Sequence, residues 1–293
     1  MDGVLIVDKP AGMTSHDVVN RVRRILEERS VGHLGTLDPM ATGVLPLVTG
    51  RMTRLAQFYA HSEKTYSGEI RFGFATDTYD AAGDPVGPLC KPTLDLEQIR
   101  EAARAYTGTI QQMPPPFSAK KISGVPAYKL ARQKKPVELK PVTVEVKEFE
   151  IEAWEGDRAR FHARVASGTY LRSVAHDLGR DLGVGGHLAA LRRIAVGEFE
   201  LAEARTLEQL QEAAERGSAA ELFIHPRRLL PQLPAVTATE ENAACIRHGR
   251  AVNLPELSQA RQVKVFRGQG ELIAIATRVA GTLFHPGIVL CSE

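Results

Sequence analysis

The sequence has few cysteines and none of the spacings that mark a metal site. Its three cysteines, Cys90, Cys245 and Cys291, lie far apart and are odd in number. The nine histidines are scattered, and none belongs to an H-x-x-x-H pattern or accompanies a C-x-x-C pair. We therefore expect no structural metal, and we expect the protein to work in a reducing compartment.

The sequence also lacks a long apolar run and an excess of one charge. No stretch approaches the roughly 20 apolar residues of a membrane span, and the apolar run near the N-terminus is too short for a signal peptide. The 37 basic and 35 acidic residues give a net charge of +2, so affinity for a polyanion must come from where the charges lie. These features predict a cytoplasmic globular protein without a membrane segment.

The hydrophobic pattern predicts a mixture of strands and helices. Helical periodicity follows a capping box at Thr14 and Asp17, and a second helix is predicted over Leu96–Tyr106. Alternation predicts strands over Gly3–Asp8, Thr65–Ala75, Pro141–Trp154 and Arg158–Val165. This mixture predicts an α+β fold on a central, mostly antiparallel mixed sheet.

Two segments differ from this body of the chain. Between Gln111 and Pro141, seven basic residues accompany a single acid, which predicts a basic excursion from the sheet. From Ala235 onward, one helical stretch and several short strands fill about 60 residues, near the low end for a domain. We predict a large domain over 1–231, with the excursion at 111–141, and a small mostly-β domain over 232–293.

A single acid, Asp38, lies in the apolar and glycine-rich stretch between Val31 and Arg51. One interpretation is a helix cap, because aspartate before proline commonly begins a helix. The other is a loop that approaches a ligand and takes a basic partner from elsewhere in the chain. Arg172 is a candidate partner, since an arginine in the first turn of a predicted helix opposes the helix dipole. Such a pair would keep Asp38 ionised in an apolar pocket.

Five motifs, spread over nearly the whole chain, resemble the TruB family of tRNA pseudouridine synthases. They are Lys9–Ser15 (KPAGMTS), Gly32–Pro39 (GHLGTLDP), Lys64–Tyr66 (KTY), Gly168–Arg172 (GTYLR) and Leu191–Arg193 (LRR). The resemblance implies the pseudouridine synthase fold, with the basic excursion as an RNA-binding thumb and the last domain as a PUA-like RNA-binding domain. It implies isomerisation of the uridine at position 55 of tRNA, in the TΨC loop, to pseudouridine.

The resemblance also implies roles for individual residues. Asp38 is the catalytic carboxylate, Arg172 is its ion-pair partner, and Tyr66 stacks on the uracil near the C5 proton. His33 fills the space of the flipped base, and Tyr170 and Leu191 line the pocket. Contacts with the RNA backbone and bases are expected from a further set: Phe117, Lys120, Lys121, Tyr128 and Arg250.

The expected partner is the T-arm and acceptor region of tRNA, with no obligate protein partner and a monomeric enzyme. An isomerisation needs no redox change or group donor, so we expect no cofactor. Two alternatives remain: a guide-RNA-dependent pseudouridine synthase, and an RNA-binding or tRNA-folding protein on the same fold. The basic excursion favours a stand-alone enzyme, and the presence of Asp38, Tyr66 and Arg172 argues against a non-catalytic copy.

Overall fold

A computed structural model describes residues 1–116, 121–122, 125–126, 140–257 and 259–291. The helices are α1 (Ser15–Ile25), α2 (Leu96–Ala103), α3 (Leu171–Asp181), α4 (Leu207–Glu215) and α5 (Glu240–Arg247). The strands are β1 (Gly3–Lys9), β2 (Val31–His33), β3 (Thr42–Thr49), β4 (Lys64–Phe72), β5 (Ala75–Thr76), β6 (Pro85–Val86), β7 (Gly108–Gln112), β8 (Lys121–Ile122), β9 (Val125–Pro126), β10 (Val142–Glu155), β11 (Arg158–Val165), β12 (Gly186–Val196), β13 (Phe199–Glu200), β14 (Ala235–Thr237), β15 (Val252–Asn253), β16 (Gln262–Arg267), β17 (Glu271–Ala280) and β18 (Leu283–Val289).

The large sheet has the strand order β1-β3-β12-β4-β11-β10-β7, with β2 beside β3 and β13 beside β12. Its pairings are antiparallel except that between β12 and β3, which is parallel. Buried side chains of α2 and α3 pack with those of β4, β10, β11 and β12 in one apolar core. The predicted α+β fold with a mostly antiparallel mixed sheet is therefore confirmed.

The N-terminal helix anchors the loop that contains Asp38. Helix α1 begins with the predicted capping box, in which the Thr14 and Asp17 side chains each bond the other's backbone amide. In the first turn of α1, the Ser15 hydroxyl accepts from the Leu37 amide at 2.8 Å and lies 3.2 Å from the Leu37 carbonyl. Both backbone groups next to Asp38 on its N-terminal side are thus bound by one buried side chain.

The basic excursion leaves the sheet between two hydrogen-bonded strands. Gln112, the last residue of β7, lies opposite Val142, the first residue of β10. The chain therefore departs and returns at the same end of this strand pair. Phe117, Lys120 and Tyr128, three of the predicted RNA contacts, lie outside the described residues, and only the backbone of Lys121 is described.

A second sheet follows, with the strand order β14-β16-β17-β18-β15. Helix α5 packs its apolar residues against this sheet. One face of the sheet contributes Phe266 and Leu272 to an apolar cluster that also contains Val4 of β1 and the connecting residues Leu229 and Leu230. The two sheets therefore share a core instead of being joined by a solvated linker.

The cysteines Cys90, Cys245 and Cys291 are free thiols. Among the described residues, no helix is both long enough and apolar enough to cross a membrane. Within that same part of the chain, no three histidine, cysteine, aspartate or glutamate side chains come together as a metal site would require.

The shared core predicts that the two sheets unfold together. Phe266→Ala in the second sheet should lower the free energy of unfolding by about 3 to 5 kcal/mol, the usual cost of emptying a buried phenylalanine site. Trp154, the single tryptophan, lies in β10 of the first sheet and reports the transition by fluorescence. The exposed Val279→Ala variant is the control. An unchanged Trp154 transition in the Phe266 variant would mean that the sheets unfold independently.

Candidate active site

A pocket of about 360 Å³ opens beside the Asp38 loop. Strands β4 and β12 form its floor, and the start of α3 forms one side. The described residues that line it are His33, Leu34, Gly35, Thr36, Leu37, Asp38, Ala56, Tyr59, Ala60, Lys64, Tyr66, Ser167, Gly168, Thr169, Tyr170, Leu171, Arg172 and Leu191. Asp38 is the one acid in this set. The pocket has room for a flat ring the size of a nucleobase.

Asp38 does not cap a helix. Its carbonyl accepts from the Ala41 amide at 3.1 Å, which closes a turn, and the chain then enters β3. The helix-cap interpretation is therefore wrong, because the backbone after Pro39 becomes extended. Burial raises the pKa of the Asp38 carboxyl above its ordinary value of 3.8, while the nearby Arg172 guanidinium lowers it. About a third of the side chain, 36%, remains open to the pocket.

Arg172 is buried beneath Asp38 and contacts it with two nitrogens. Its Nε lies 2.9 Å from one carboxylate oxygen of Asp38, and one Nη donates to the other oxygen at 3.2 Å. The second Nη donates to Asp80 Oδ2 and to the Thr78 carbonyl, each at 3.3 Å. The first turn of α3 thus presents a guanidinium whose plane spans two carboxylates, which fixes the direction in which Asp38 points.

No sequence pattern singled out Asp80. It is buried, and its other oxygen accepts from the Thr78 hydroxyl at 2.7 Å and from the Ala82 amide at 3.0 Å. The charge of Asp80 raises the pKa of Asp38 further. The signal available in the sequence is the acid-rich turn Asp77–Asp84, which directly follows a predicted strand. It is a weak signal, because such turns are usually solvated.

Tyr66 and Arg193 lie directly opposite each other on β4 and β12. Both are buried, and the Arg193 guanidinium lies close enough to the Tyr66 hydroxyl for its charge to act on it. Burial raises the pKa of that hydroxyl, and the Arg193 charge opposes the rise. The tyrosine is therefore neutral at pH 7. Arg193 belongs to a predicted motif, but its partner across the sheet could not be read from the sequence.

Buried cations also hold the backbone of the Asp38 loop. Arg193 donates to the carbonyls of Val44 at 2.7 Å and Gly35 at 3.0 Å. The Lys9 ammonium donates to the Pro10 carbonyl at 2.8 Å and lies 3.2 Å from that of Pro39. Burial lowers the pKa of Lys9 to about 8, with the Asp38 charge opposing the change.

One glycine of this loop, Gly43, serves the packing of the two strands. Gly43 has a φ of +99°, and a Cβ there would lie 2.2 Å from the Arg193 carbonyl oxygen of the neighbouring strand. Any side chain at this position would separate β3 from β12 just beyond the Asp38 turn. At Gly43 the close approach that glycine permits is therefore to backbone, whereas Gly35 lines the pocket, as the interpretation of an approach to a ligand expects.

The other predicted pocket residues are also at the pocket wall. His33, Tyr170 and Leu191 line it, and burial lowers the pKa of the His33 imidazole. The Gln112 side chain accepts from the Tyr170 amide at 2.8 Å and donates to its carbonyl at 3.0 Å. This two-point contact ties the pocket wall to the root of the basic excursion. Arg250 is exposed in the second sheet's domain and is not part of the pocket.

The arrangement brings together one carboxylate, a guanidinium that keeps it charged, and a neutral phenol. An ionised carboxylate in a pocket of this size can act as a nucleophile, as a base, or as a counter-ion for positive charge that develops on a sugar. The phenol can stack on a base and exchange a proton. These are the groups required to break and form bonds at the junction of a sugar and its base.

Residues 23–171 match the family described as TruB family pseudouridylate synthase (N terminal domain), and residues 172–231 match the tRNA pseudouridylate synthase B C-terminal domain. A tRNA pseudouridine synthase B of Solibacter usitatus is 50% identical over 293 residues, covering 99% of this chain and 100% of that protein. The protein of the same name from Thermobifida fusca is 42% identical over 291 residues, covering 96% of each chain. That from Geobacter sulfurreducens is 38% identical over 292 residues, covering 96% and 95%.

Solved structures have the same fold. A chain in "Structure of H/ACA RNP bound to a substrate RNA containing 2'-deoxyuridine" superposes with a TM-score of 0.73 at 24% identity, covering 99% of this chain and 85% of that one. A chain in "Crystal Structure of a Cbf5-Nop10-Gar1 Complex" gives a TM-score of 0.70 at 26% identity, covering 99% and 84%.

The contacts of Asp80 predict an effect on the titration of Asp38. In Asp80→Asn, the shape and the Thr78 contact are retained but one negative charge is lost, so the pKa of Asp38 should fall. Carboxyl ¹³C NMR of labelled aspartate measures that pKa directly. The free energy of unfolding should also drop by about 1 to 3 kcal/mol, because buried Arg172 loses a charged acceptor.

The control for this variant is Asp84→Asn, in the same turn but exposed. It should leave the Asp38 titration and the stability unchanged. An Asp38 pKa that stays constant or rises in Asp80→Asn would show that the two carboxylates do not interact through Arg172.

Proposed function

The chain belongs to the TruB family of pseudouridine synthases, and we propose that its substrate is the uridine at position 55 in the TΨC loop of tRNA. It is an enzyme that isomerises uridine in tRNA to pseudouridine. The observation that carries the proposal is the Asp38 carboxylate, bound by Arg172 at 2.9 Å and exposed in a pocket of nucleobase size. The position in tRNA rests on the five motifs that resemble the family.

The reaction changes the attachment of the uracil without changing its composition. The bond between N1 and C1′ breaks, the uracil turns over, and C5 bonds to C1′. The C5 proton then leaves, and N1 gains a proton, so the atoms and charges balance. Asp38 would serve this chemistry by attack at C1′, by addition to the base, or by removal of the 2′ proton. Each route requires the carboxylate to be ionised and aimed, which is what Arg172 supports.

The target base must leave its stack to enter the pocket. Extrusion of a nucleotide costs a few kcal/mol, and stacking on an aromatic ring returns about 1 to 3 kcal/mol per base. We propose that Tyr66 supplies this stacking, that Leu191 and Tyr170 enclose the base, and that His33 occupies the gap left in the RNA.

The remaining contacts with tRNA are proposed from charge and position. The basic excursion emerges at Gln112, whose side chain also holds Tyr170 at the pocket wall. It would therefore cover RNA bound at the pocket, with Arg250 contacting a more distant part of the T-arm or acceptor region. We propose a monomer that works in the cytoplasm without a cofactor or an obligate protein partner.

Purified protein and unmodified tRNA transcript test the substrate and the independence from a guide. The transcripts carry tritium at C5 of uridine. The enzyme should release tritium from the wild-type transcript and should release none from a transcript that has cytidine at position 55. Release only after addition of a guide RNA and protein partners would favour the guide-dependent alternative. Release that persists in the cytidine transcript would place the target elsewhere in the tRNA.

Asp38→Asn should bind tRNA with unchanged affinity but release no tritium above background, because no second acid lines the described part of the pocket. Filter binding and the tritium assay measure the two properties. Asp157→Asn is the matched control, since Asp157 also pairs with an arginine, Arg71, but lies in the turn between β10 and β11 and does not line the pocket. Measurable turnover by the Asp38 variant would contradict its assignment as the catalytic carboxylate.

Tyr66→Phe keeps the ring and removes the hydroxyl, whose pKa the Arg193 charge influences. If this hydroxyl takes part in transfer of the C5 proton, the single-turnover rate should fall by about 10² to 10⁴, the usual worth of general acid–base catalysis. Affinity for tRNA should be unchanged, because the ring still stacks. A rate within about threefold of wild type would limit Tyr66 to stacking, a term that survives in phenylalanine.

A further inference from the structure

Tyr59 forms part of the pocket wall and is held from outside the pocket. It ends the 3-10 segment Gly50–Tyr59, and its ring centroid lies 5.2 Å from that of Phe199. Its hydroxyl donates to Glu198 Oε1 at 2.7 Å. Burial and the Glu198 charge both raise the pKa of Tyr59, so the hydroxyl keeps its proton and remains a donor.

Glu198 also binds the connection between the two sheets. The same oxygen, Oε1, accepts from the Leu230 amide at 3.0 Å, and that amide lies 3.3 Å from the Tyr59 hydroxyl. Leu230 has a φ of +51°, a left-handed backbone that a leucine adopts only where its surroundings enforce it. The connection is therefore held in one conformation by the group that also holds the pocket wall.

A buried ammonium group of the second sheet also binds this connection. Lys264 of β16 is 3% exposed, and its Nζ donates to the Leu229 carbonyl at 2.7 Å and to the Arg227 carbonyl at 3.1 Å. Burial lowers the pKa of Lys264, and the charge of Glu198 opposes that change. Burying an ammonium at this depth is costly unless hydrogen bonds compensate for the lost water, and the two carbonyls supply this compensation.

These contacts form a continuous chain from the second sheet to the pocket. Lys264 binds the Leu229 carbonyl, the adjoining Leu230 amide binds Glu198, and Glu198 binds Tyr59 in the wall. The apolar side chains of Tyr59, Leu229, Leu230 and Phe266 belong to the same buried cluster. A change at Lys264 can therefore reach the wall through hydrogen bonds that are all between buried or half-buried groups.

We propose that Glu198 and Lys264 are positioning residues. Through them the C-terminal domain, which here means the domain of the second sheet (residues 232–293), fixes Tyr59 in the wall of the uridine pocket. The C-terminal domain then contributes to the isomerisation step itself, in addition to any contact it makes with RNA. This inference rests on the proposed uridine-55 activity, because the step that it affects is the turnover of that uridine in the pocket.

The test measures single-turnover rates at saturating enzyme, on whole tRNA and on an isolated T-arm stem-loop. Lys264→Met in the full chain should lower the rate at least about fivefold on both substrates, the lower end of usual coupling between sites. Affinity for the stem-loop should stay near wild type. Arg267→Met is the matched control, because Arg267 lies on the same strand but pairs only with exposed Glu271 among the described residues.

A double-mutant cycle with Tyr59→Phe separates positioning from general destabilisation. If Lys264 acts through the Tyr59 hydroxyl, the double variant should be no slower than the slower single variant. Glu198→Ala should behave like Lys264→Met, whereas Glu198→Gln, which keeps an oxygen acceptor, should retain most of the rate. Should Lys264→Met fail to fold, the cycle of Glu198→Ala with Tyr59→Phe decides the same question.

Three results would overturn the inference. They are wild-type rates in the folded Lys264 and Glu198→Ala variants, losses that multiply independently in the cycle, and a loss confined to whole tRNA. The last would mean that the domain acts only by touching RNA. Wild-type protein that leaves uridine 55 unchanged in both substrates is a different outcome, because it rejects the proposed function before the variants are compared.

Discussion

A buried guanidinium needs acceptors close to its donors, and Arg172 takes them from two other parts of the chain. The first turn of α3 supplies the cation, the Asp38 loop supplies one carboxylate, and the Asp77–Asp84 turn supplies Asp80 and the Thr78 carbonyl. Removal of either carboxylate leaves part of the buried Arg172 guanidinium without its acceptor, which is costly. The geometry proposed for catalysis and the local stability therefore depend on the same set of contacts.

More buried cations surround the pocket than are needed to balance the charge of the Asp38 carboxylate. Lys9, Arg172 and Arg193 are buried near it, against the acids Asp38 and Asp80. Arg193 and Lys9 donate hydrogen bonds mainly to backbone carbonyls of the loop. They therefore fix the backbone on both sides of Asp38 and also contribute positive potential. A site that is positive in this way favours an ionised carboxylate and attracts a polyanionic substrate, even though the net charge of the chain is only +2.

Features of the fold and of the site that depend on local pattern or on a motif could be predicted from the sequence. The first strand, the capping box of α1, the position of Arg172 in the first turn of a helix and the mixed sheet all follow from periodicity and turn chemistry. Asp80 and the pairing of Arg193 with Tyr66 could not be predicted, because both depend on register between strands and turns far apart in the chain. Asp38 illustrates the limit: a helix cap and a turn that closes onto a strand begin with the same Asp-Pro pair.

The predicted boundary near residue 232 shows a similar limit. The change in pattern marks where one sheet ends and another begins, but a pattern of residues carries no information on which faces of the two sheets meet. Phe266 and Leu272 complete a core that begins with Val4 of β1, and Lys264 donates to carbonyls on the other side of the boundary. Cutting the chain there would expose apolar surface and would remove the Lys264 ammonium from the Leu229 carbonyl, next to the left-handed Leu230. The boundary therefore divides the chain by topology, whereas the apolar core and the hydrogen bonds of Lys264 extend across it.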